Sequence, residues 1–381
     1  AFRDWISQTY DLLPEQAAAV LGARLPQGHG RFGPTATTTL IDSLLHDRTE
    51  DGRVVVYSEA VQRSGLGHHS DLRHDRDDED VTELPYYGVA LERHIMPGTA
   101  EPTDPEEMRI GRLTNPTVAT LEARLADLEG GAGATCTASG HSAQMLALFP
   151  LLGPGDEFIA ARKLYGGSLN QFANSFPRAF GWKCHFVDGD DAENFRRALT
   201  PRTKAIFIES LANPGGVVSD IAAIAKVADE AGIPLIVDNT LATPYLCRPI
   251  EHGATLVVHS TTKFLTGHGT SVGGVVIDSG KFDWAKDGKF PALSEPEPGY
   301  HGKRFTETFG PAAFTIYGHA IGLRDLGPSM APLNAFLGIN GAETLALRME
   351  RHCANAQRVA EYLSCHPAVA WVNYAGLPDS P

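Results

Sequence analysis

The 381-residue sequence predicts an α/β protein with a mostly parallel central sheet, helices on both faces and a second, smaller lobe. Three observations predict this class. From residue 115 onward, short runs that are apolar throughout recur along the chain. Most of these runs are separated by helical patterns. Conspicuous polar residues follow the ends of the runs, where ligands bind in such sheets.

Composition places the chain among ordinary globular proteins. Apolar residues make up 43% and charged residues 20% of the sequence, and no apolar stretch is long enough to span a bilayer. A formal net charge of −14 argues against a nucleic-acid partner, because nucleic-acid-binding proteins usually carry a basic face. The five cysteines are scattered without a CxxC pair, which is typical of reduced thiols. We therefore predict a cytoplasmic protein with neither a membrane nor a nucleic-acid partner.

Residues 1–108 lack the regular alternation of apolar runs and helical patterns that the rest of the sequence shows. They are predicted to form an N-terminal extension that is partly irregular. Residues 54–57 could form a short strand. Residues 67–80 are dense in charge and nearly free of apolar residues, which is typical of a solvated loop. His68, His69 and His74 lie in this stretch and could bind a metal, but their spacing matches no helix or strand. The loop is the better interpretation, and no metal site is predicted.

Regular alternation of elements begins at residue 115. Asn115 followed by Pro116 predicts a helix start, with asparagine as the cap and proline in the first turn. Strands are predicted at 132–138, 158–161, 184–187, 204–208, 233–237, 255–258 and 272–277, with helices at 142–152, 191–199, 221–231 and 340–362. We therefore predict a large domain at 109–325 and the start of a smaller C-terminal domain at 326–381, which is expected to be incomplete.

Lys263 and Asp238 are the strongest candidates for chemistry. Asp238 closes a strongly apolar strand, where a carboxylate is costly unless it is paired. Lys263 follows another apolar strand and stands beside the hydroxyls of Ser260 and Thr262. A pyridoxal phosphate (PLP) enzyme needs a lysine for the Schiff base, an aspartate at the pyridinium nitrogen and hydroxyls near the phosphate. Taken singly, a turn aspartate and a solvent-facing lysine would explain the same residues.

Four further residues, after three predicted strands, are candidates for cofactor binding. Ser139 and Gly140 join a strand to a helix, where free N–H groups bind phosphate, although many helices begin after Ser-Gly. Tyr165 could stack on a flat heterocycle or could be an ordinary core tyrosine. Asn213 could hydrogen-bond the cofactor's phenolic oxygen or could be a turn residue before proline. Each is ambiguous alone, and their order along successive strand ends favours a cofactor site.

This ordered set resembles the Cys/Met-metabolism PLP-dependent enzymes, the cystathionine γ-synthase-like family, from about residue 109 to the C-terminus. The motifs that carry the resemblance are residues 112–117 (RLTNPT), 237–240 (VDNT) and 260–263 (STTK). Four more stretches are closest to the O-acetylhomoserine sulfhydrylase branch: 165–172 (YGGSLNQF), 248–254 (RPIEHGA), 267–271 (GHGTS) and 345–352 (LALRMERH). The resemblance implies fold type I of the PLP-dependent transferases, with a smaller C-terminal α+β lobe.

The resemblance also implies a role for each matching residue. Lys263 would hold the cofactor covalently and shuttle protons, Asp238 would pair with the pyridine nitrogen, and Tyr165 would stack on the ring. Asn213 would contact the 3′-oxygen. The other positions expected to bind the cofactor, mostly at its phosphate, are Ser139, Gly140, His141, Thr240, Ser260, Thr262 and Arg112. Arg112 would reach the phosphate of a neighbouring subunit, which implies a homodimer or homotetramer with shared active sites.

Three features depart from the family pattern. Ile110 stands where family members usually have a tyrosine, so one phosphate contact and a usual activator of the substrate are missing. Tyr86 or Tyr87 could substitute. The arginine that grips the substrate carboxylate in relatives has no counterpart before Pro381, which implies an incomplete chain or an altered site. Residues 1 to about 100 do not resemble the usual N-terminal arm.

The function that the resemblance favours is γ-replacement on an activated homoserine. An O-acetylhomoserine-type substrate would lose acetate through a vinylglycine-type intermediate, and sulfide or another nucleophile would attack. Elimination at the γ- or β-carbon, as in methionine or cystathionine γ-lyase, and replacement of an unusual leaving group are alternatives. A non-catalytic scaffold has only Ile110 in its favour, and a nucleotide-binding Rossmann fold is disfavoured because no GxGxxG follows an early strand.

Overall fold

The computed structural model describes residues 46–48, 54–56 and 115–378. The chain divides into two compact units, Ala1–Ala90 and Leu91–Pro381. In the first unit, strands β1 (His46–Arg48) and β2 (Val54–Val56) pair antiparallel. The short strand predicted at 54–57 is thereby confirmed.

A seven-stranded sheet forms the centre of the second unit. Its strands are β3 (Gly133–Thr137), β4 (Glu157–Ala161), β5 (Lys183–Val187), β6 (Thr203–Glu209), β7 (Leu235–Asp238), β8 (Leu256–His259) and β9 (Gly274–Asp278). The spatial order is β3-β9-β8-β7-β6-β4-β5. Strand β9 runs antiparallel to both of its neighbours, and every other pair is parallel. Each strand predicted after residue 115 is present, and the prediction of a mostly parallel sheet is confirmed.

Burial along the strands explains why they read as continuous apolar runs. Every residue of β4, β7, β8 and β9 is buried, with no alternation between an inner and an outer face. A strand that is buried on both faces has no solvent side that would favour polar residues. The sheet therefore lies between layers of packed elements, as the fold class requires.

Four of the six longer helices, those before residue 232, lie at or near the predicted positions. The six longer helices are α1 (Pro116–Glu129), α2 (Gly140–Leu148), α3 (Ala192–Ala198), α4 (Ile221–Ala231), α5 (Pro332–Glu343) and α6 (Leu345–Ser364). Shorter helical segments lie at Gly166–Asn170, Gln171–Ser175, Phe176–Phe180, Thr243–Leu246, Pro249–His252, Lys286–Gly288, Pro291–Ser294, Pro298–Tyr300, Phe305–Phe309, Gly310–Ala312, Ala313–Tyr317 and Gly318–Leu326. The side chain of Asn115 accepts hydrogen bonds from Thr117 N at 3.1 Å and from Val118 N at 3.4 Å. The predicted cap of the first helix is thus confirmed.

The single helix predicted at 340–362 is wrong, because the chain breaks at Thr344 between α5 and α6. The Arg348 guanidinium donates to the carbonyl oxygens of Gly341 and Phe264, each at 2.7 Å. It therefore ties α6 to the end of α5 and to the loop after β8, and it shares the Gly341 carbonyl with the backbone N–H of Thr344. Periodicity along the sequence could not show a break that a distant carbonyl helps to stabilise. Among the described residues after 326 there are helices but no strand.

A buried carboxylate at the end of β9 makes the stability of the folded chain depend on pH. Asp278 Oδ1 accepts a hydrogen bond from Gly280 N at 2.9 Å, whereas its buried Oδ2 has no partner among the described residues. Burial raises the pKa of Asp278 to about 7. Since the folded-state pKa lies above the unfolded one, folding becomes less favourable as the pH rises from about 4 to about 7.

We expect the Asp278→Asn variant to lose less stability than the wild type between pH 5 and pH 8. The variant carries no ionisable group at this position, so its free energy of unfolding should fall by about 2 kcal/mol less over that range. Urea titrations at several pH values would measure this difference. The exposed Asp127→Asn variant serves as the control and should follow the wild type. Parallel curves for Asp278→Asn and wild type would contradict the expectation.

Candidate cofactor site

The site lies where strands of the sheet end. Strands β3, β4, β6, β7 and β8 run in one direction, so their carboxyl ends share an edge. The positions predicted to bind the cofactor lie at the ends of these strands or within four residues after them, except Arg112, which precedes α1. Parallel topology therefore brings together residues that are far apart in sequence.

An anion cradle lies at the start of α2. Ser139 caps the helix and its Oγ accepts from Ser142 N at 3.2 Å. The first two N–H groups of this helix, those of Gly140 and His141, have no hydrogen-bond acceptor among residues 115–378. A Cβ added to Gly140 would lie 2.7 Å from the Cβ of Ser260, so glycine is needed for these two strand ends to meet. Free N–H groups beside two serine hydroxyls suit a phosphate.

Asp238 is buried, with 8% of its surface exposed, and both of its carboxylate oxygens accept hydrogen bonds. Oδ1 accepts from Thr240 N at 3.0 Å, and Oδ2 accepts from Gln144 Nε2 at 3.1 Å. The hydroxyl of Thr240 in turn accepts from Ser260 N at 2.8 Å. Thr240 thus links the aspartate that ends β7 to the loop after β8. The sequence predicted Thr240 as a cofactor residue, and the structure gives its hydroxyl a backbone partner.

Tyr165 and Asn213 stand on exposed loops at the same edge. The side chain of Tyr165 is 48% exposed, and its ring centroid lies 5.9 Å from that of His141, at an interplanar angle of 31°. Asn213 is also exposed. The alternative interpretation of Tyr165 as an ordinary core residue is therefore wrong. An exposed ring beside the anion cradle is free to stack on a planar ligand.

Lys263 lies in a tight turn after β8. It is exposed, and its side chain makes no hydrogen bond or ion pair among residues 115–378. Its backbone N–H donates to Ser260 O at 3.3 Å, and its carbonyl accepts from Gly267 N at 2.8 Å. The hydroxyl of the adjacent Thr262 bonds to both backbone groups of Gly273, at 3.1 and 3.2 Å. The turn is thus held by its backbone and by Thr262, which leaves the lysine amine free.

Two buried side chains that the sequence analysis did not select also belong to this edge. Gln144, on α2, donates from Nε2 to Asp238 and, at 2.9 Å, to Ser168 Oγ. Glu209 ends β6 and accepts from the backbone N–H groups of Tyr165 and Asn213. Burial, and then the nearby charge of Asp238, raise the pKa of Glu209 to about 7. The signal in the sequence was available, because Glu209 closes an apolar strand just as Asp238 does.

A buried polar network lies behind the site. His259 Nε2 and Glu129 Oε1 are 2.7 Å apart, and both side chains are 1% exposed. Asn239 Nδ2 donates to the same oxygen of Glu129 at 2.8 Å, and Ser210 Oγ donates to Asn239 Oδ1 at 2.7 Å. This network joins α1 to the ends of β6, β7 and β8. It therefore fixes the backbone that presents Asp238 and Lys263.

Some predicted positions lie outside the described residues. They include Arg112 and Ile110. They also include Tyr86 and Tyr87, which could replace the missing hydroxyl, and the histidines of the charged stretch, His68, His69 and His74. Their roles stay predictions. All other predicted site residues, from Ser139 to Lys263, are described and lie at one edge of the sheet.

Solved structures with the same architecture establish the class of protein. The chain superposes with a TM-score of 0.69 on a putative O-acetylhomoserine (thiol)-lyase from Campylobacter jejuni, at 40% identity over 71% of this chain and 67% of that one. That structure contains N′-pyridoxyl-lysine-5′-monophosphate. An O-acetylhomoserine sulfhydrylase of Wolinella succinogenes matches with a TM-score of 0.63, at 39% identity over 72% of this chain and 76% of that one. The fold is therefore that of the PLP-dependent transferases of fold type I.

The chain belongs to the Cys/Met metabolism PLP-dependent enzyme family, whose sequence model matches residues 91–381. It is 52% identical over 274 residues to the O-acetyl-L-homoserine sulfhydrylase of Leptospira meyeri, covering 70% of this chain and 62% of that protein. It is 47% identical over 269 residues to the homocysteine/cysteine synthase of Saccharomyces cerevisiae, covering 70% and 60%. The chain thus spans about three-fifths of the length of these relatives.

The described residues fit the family's cofactor. The edge offers free helix N–H groups and serine hydroxyls for a phosphate, an exposed aromatic ring for a planar heterocycle, and an unpaired lysine amine for an aldehyde. Asp238 is a buried carboxylate with no cationic partner among residues 115–378. A protonated pyridine nitrogen is the partner that such a carboxylate lacks. None of the described helices is long and apolar enough to cross a membrane.

Proposed function

We propose that this chain carries the PLP site of a γ-replacement enzyme that exchanges the acetate of an O-acetylhomoserine-type substrate for sulfide or a small thiol. One observation carries the proposal. The lysine, the aspartate, the exposed tyrosine and the anion cradle lie at a single sheet edge. Relatives with 46–52% identity over about 70% of the chain are O-acetylhomoserine sulfhydrylases or homocysteine synthases, which supports this substrate class.

Each residue of the site has a chemical task in this proposal. When bound, PLP supplies an aldehyde for an amine and a ring that accepts electrons from the substrate's α-carbon. Asp238 would hold a proton at the ring nitrogen, and Tyr165 would supply an aromatic ring for the planar heterocycle. The helix start at Gly140, with Ser139, His141 and Ser260, binds the phosphate. Thr240 orients Asp238 and Ser260, and Thr262 holds the turn that carries the lysine.

Lys263 supplies the amine that holds the cofactor and afterwards moves protons. Replacement at the γ-carbon requires the α-proton to leave and a second proton to move at the β-carbon before acetate can depart. Lys263 has no side-chain partner among residues 115–378, so its amine is available for both transfers. Once acetate has left the γ-carbon, sulfide can form a bond to that carbon.

Product analysis tests the proposal. The purified protein with PLP should convert O-acetylhomoserine and sulfide to homocysteine and acetate, detected by mass spectrometry. O-Succinyl- and O-phosphohomoserine, each with and without sulfide, complete the set. A keto acid and ammonia formed equally with and without sulfide would assign elimination instead. If O-phosphohomoserine is converted and the acetyl and succinyl esters are not, the enzyme uses an unusual leaving group.

We further propose a cytoplasmic homodimer or homotetramer that serves methionine and cysteine biosynthesis. The five cysteines form no disulfide, which suits a reducing compartment. Arg112 matches the family position that reaches a neighbouring subunit's phosphate. Light scattering would give the assembly size. Restored activity on mixing an Arg112→Ala protein with a Lys263→Ala protein would support shared sites.

A further inference from the structure

Glu209 occupies an unusual position for a buried carboxylate. It is the last residue of β6 and lies opposite Asp238 in the register of β6 and β7, with only 6% of its surface exposed. Its Oε1 accepts from Tyr165 N at 2.7 Å, and its Oε2 accepts from Asn213 N at 2.9 Å. One side chain therefore holds the backbones of two loops that are separate in sequence.

We propose that Glu209 is a positioning residue, whose two carboxylate oxygens fix the loops that present Tyr165 and Asn213 to the cofactor. The inference rests on the proposed function, because it assumes that PLP binds at this edge. Glu209 makes no hydrogen bond to either of these two side chains. It acts through the backbone N–H groups, and so sets where the exposed side chains stand.

The exposure of the two loops makes such an anchor necessary. The Tyr165 side chain is 48% exposed, and no side chain caps the short helix Gly166–Asn170 that it precedes. Asn213 is exposed as well. Core packing therefore does little to hold either side chain in place. A ring that must stay parallel to a ligand needs a fixed backbone, since a shift of about 1 Å in a site can cost a factor of about 10² in rate.

A carboxylate suits this task better than a neutral side chain. Two N–H donors converge on Glu209, and only a carboxylate presents an acceptor oxygen to each of them. Glutamine would keep one acceptor and direct an NH₂ group at the other donor. The carboxylate is retained although burial and Asp238 both disfavour its charge, which raises its pKa to about 7. Neither Glu209 nor Asp238 pairs with a cationic side chain within residues 115–378.

The test compares Glu209→Gln with Glu157→Gln. Glu157 is another buried glutamate; it begins β4 and therefore lies at the opposite edge of the sheet, where it accepts from Thr200 Oγ1 at 2.7 Å. Holoenzyme is dialysed against decreasing PLP concentrations, and visible circular dichroism per bound cofactor is recorded. We expect Glu209→Gln to bind PLP about tenfold more weakly, with altered ellipticity. Glu157→Gln should match wild type in both measurements, whatever stability it loses.

A double-mutant cycle shows whether Glu209 acts through the loops. Tyr165→Ala removes the ring and leaves the backbone N–H in place. In this background Glu209→Gln should weaken PLP binding by less than about threefold. This smaller effect is the part of the loss that arises from the displaced Asn213 loop. If Glu209→Gln does not fold, Glu209→Asp replaces it. Aspartate keeps the charge but is one methylene shorter, so we expect it to reach only one donor and to bind PLP more weakly than wild type.

The outcomes separate this inference from the proposed function. Wild-type protein that binds no PLP would overturn the proposed function and this inference with it. Wild-type binding, with affinity and ellipticity of Glu209→Gln within twofold of wild type, would overturn the positioning role alone. A tenfold loss that persists in both the Tyr165→Ala and the Asn213→Ala backgrounds would do the same.

Discussion

The Lys263→Ala variant is expected to lose its covalent hold on PLP and to lose activity by about 10³-fold or more. Alanine at this position removes both the amine that binds the cofactor aldehyde and the base that moves the substrate protons. Borohydride treatment of the wild type should add the mass of the reduced cofactor to the peptide that contains residue 263. In the variant that peptide should keep its mass, and steady-state turnover of O-acetylhomoserine with sulfide should be almost absent.

Lys281 provides the matched control for this experiment. It is an exposed lysine that follows β9, and because β9 runs antiparallel to its neighbours, Lys281 lies at the opposite edge of the sheet. Lys281→Ala should keep the wild-type adduct and rate. An adduct on any peptide other than the one containing Lys263, or wild-type turnover by Lys263→Ala, would contradict the assignment of the lysine.

The Asp238→Asn variant is expected to keep the fold and to lose activity by about 10²-fold or more. Asparagine can still accept from Thr240 N through its amide oxygen. It cannot hold a proton at the ring nitrogen, and its NH₂ group would face the donor Gln144 Nε2. The uncharged ring should then accept electrons from the α-carbon poorly. Steady-state kinetics with saturating PLP separate this loss from weak cofactor binding.

A chemical rescue makes the role of Asp238 specific. PLP methylated at its ring nitrogen carries a permanent positive charge, so it should restore part of the activity of Asp238→Ala. Asp278→Asn is the matched control, since it removes a buried carboxylate at the opposite edge of the sheet and should turn over like wild type. Absence of any difference between normal and methylated cofactor in Asp238→Ala would count against the proposed pairing.

Much of the fold could be predicted from residue order. Strands β4 and β7 read as continuous apolar runs because both of their faces are buried, and Asn115 with Pro116 marks a helix start by local hydrogen bonding. Such signals are local, so a single sequence carries them. The break at Thr344 was missed because Arg348 reaches carbonyl groups that include that of Phe264, 84 residues away in the chain.

Part of the candidate site could also be predicted from the sequence. Lys263, Asp238 and Tyr165 stand out because each follows a strand, and family motifs surround them. The residues behind them were not selected. Gln144 is an ordinary helix residue until the chain folds, whereas Glu209 closes an apolar strand as Asp238 does. The partners of both side chains, two loop backbones and the Asp238 carboxylate, are fixed only by the fold.

Residue order alone thus predicts the layered α/β class of this chain, its family and the groups proposed to carry the chemistry, because apolar periodicity and motif spacing are local properties. The three-dimensional arrangement alone shows that Thr240 joins Asp238 to Ser260, that one glutamate holds two loops, and that the amine of Lys263 has no partner among residues 115–378. Two of these contacts, Thr240 with Ser260 and Glu209 with Tyr165, join residues 20 and 44 positions apart in the chain. They exist because parallel strands bring distant turns to one edge, and spacing in the sequence does not encode which atoms then meet.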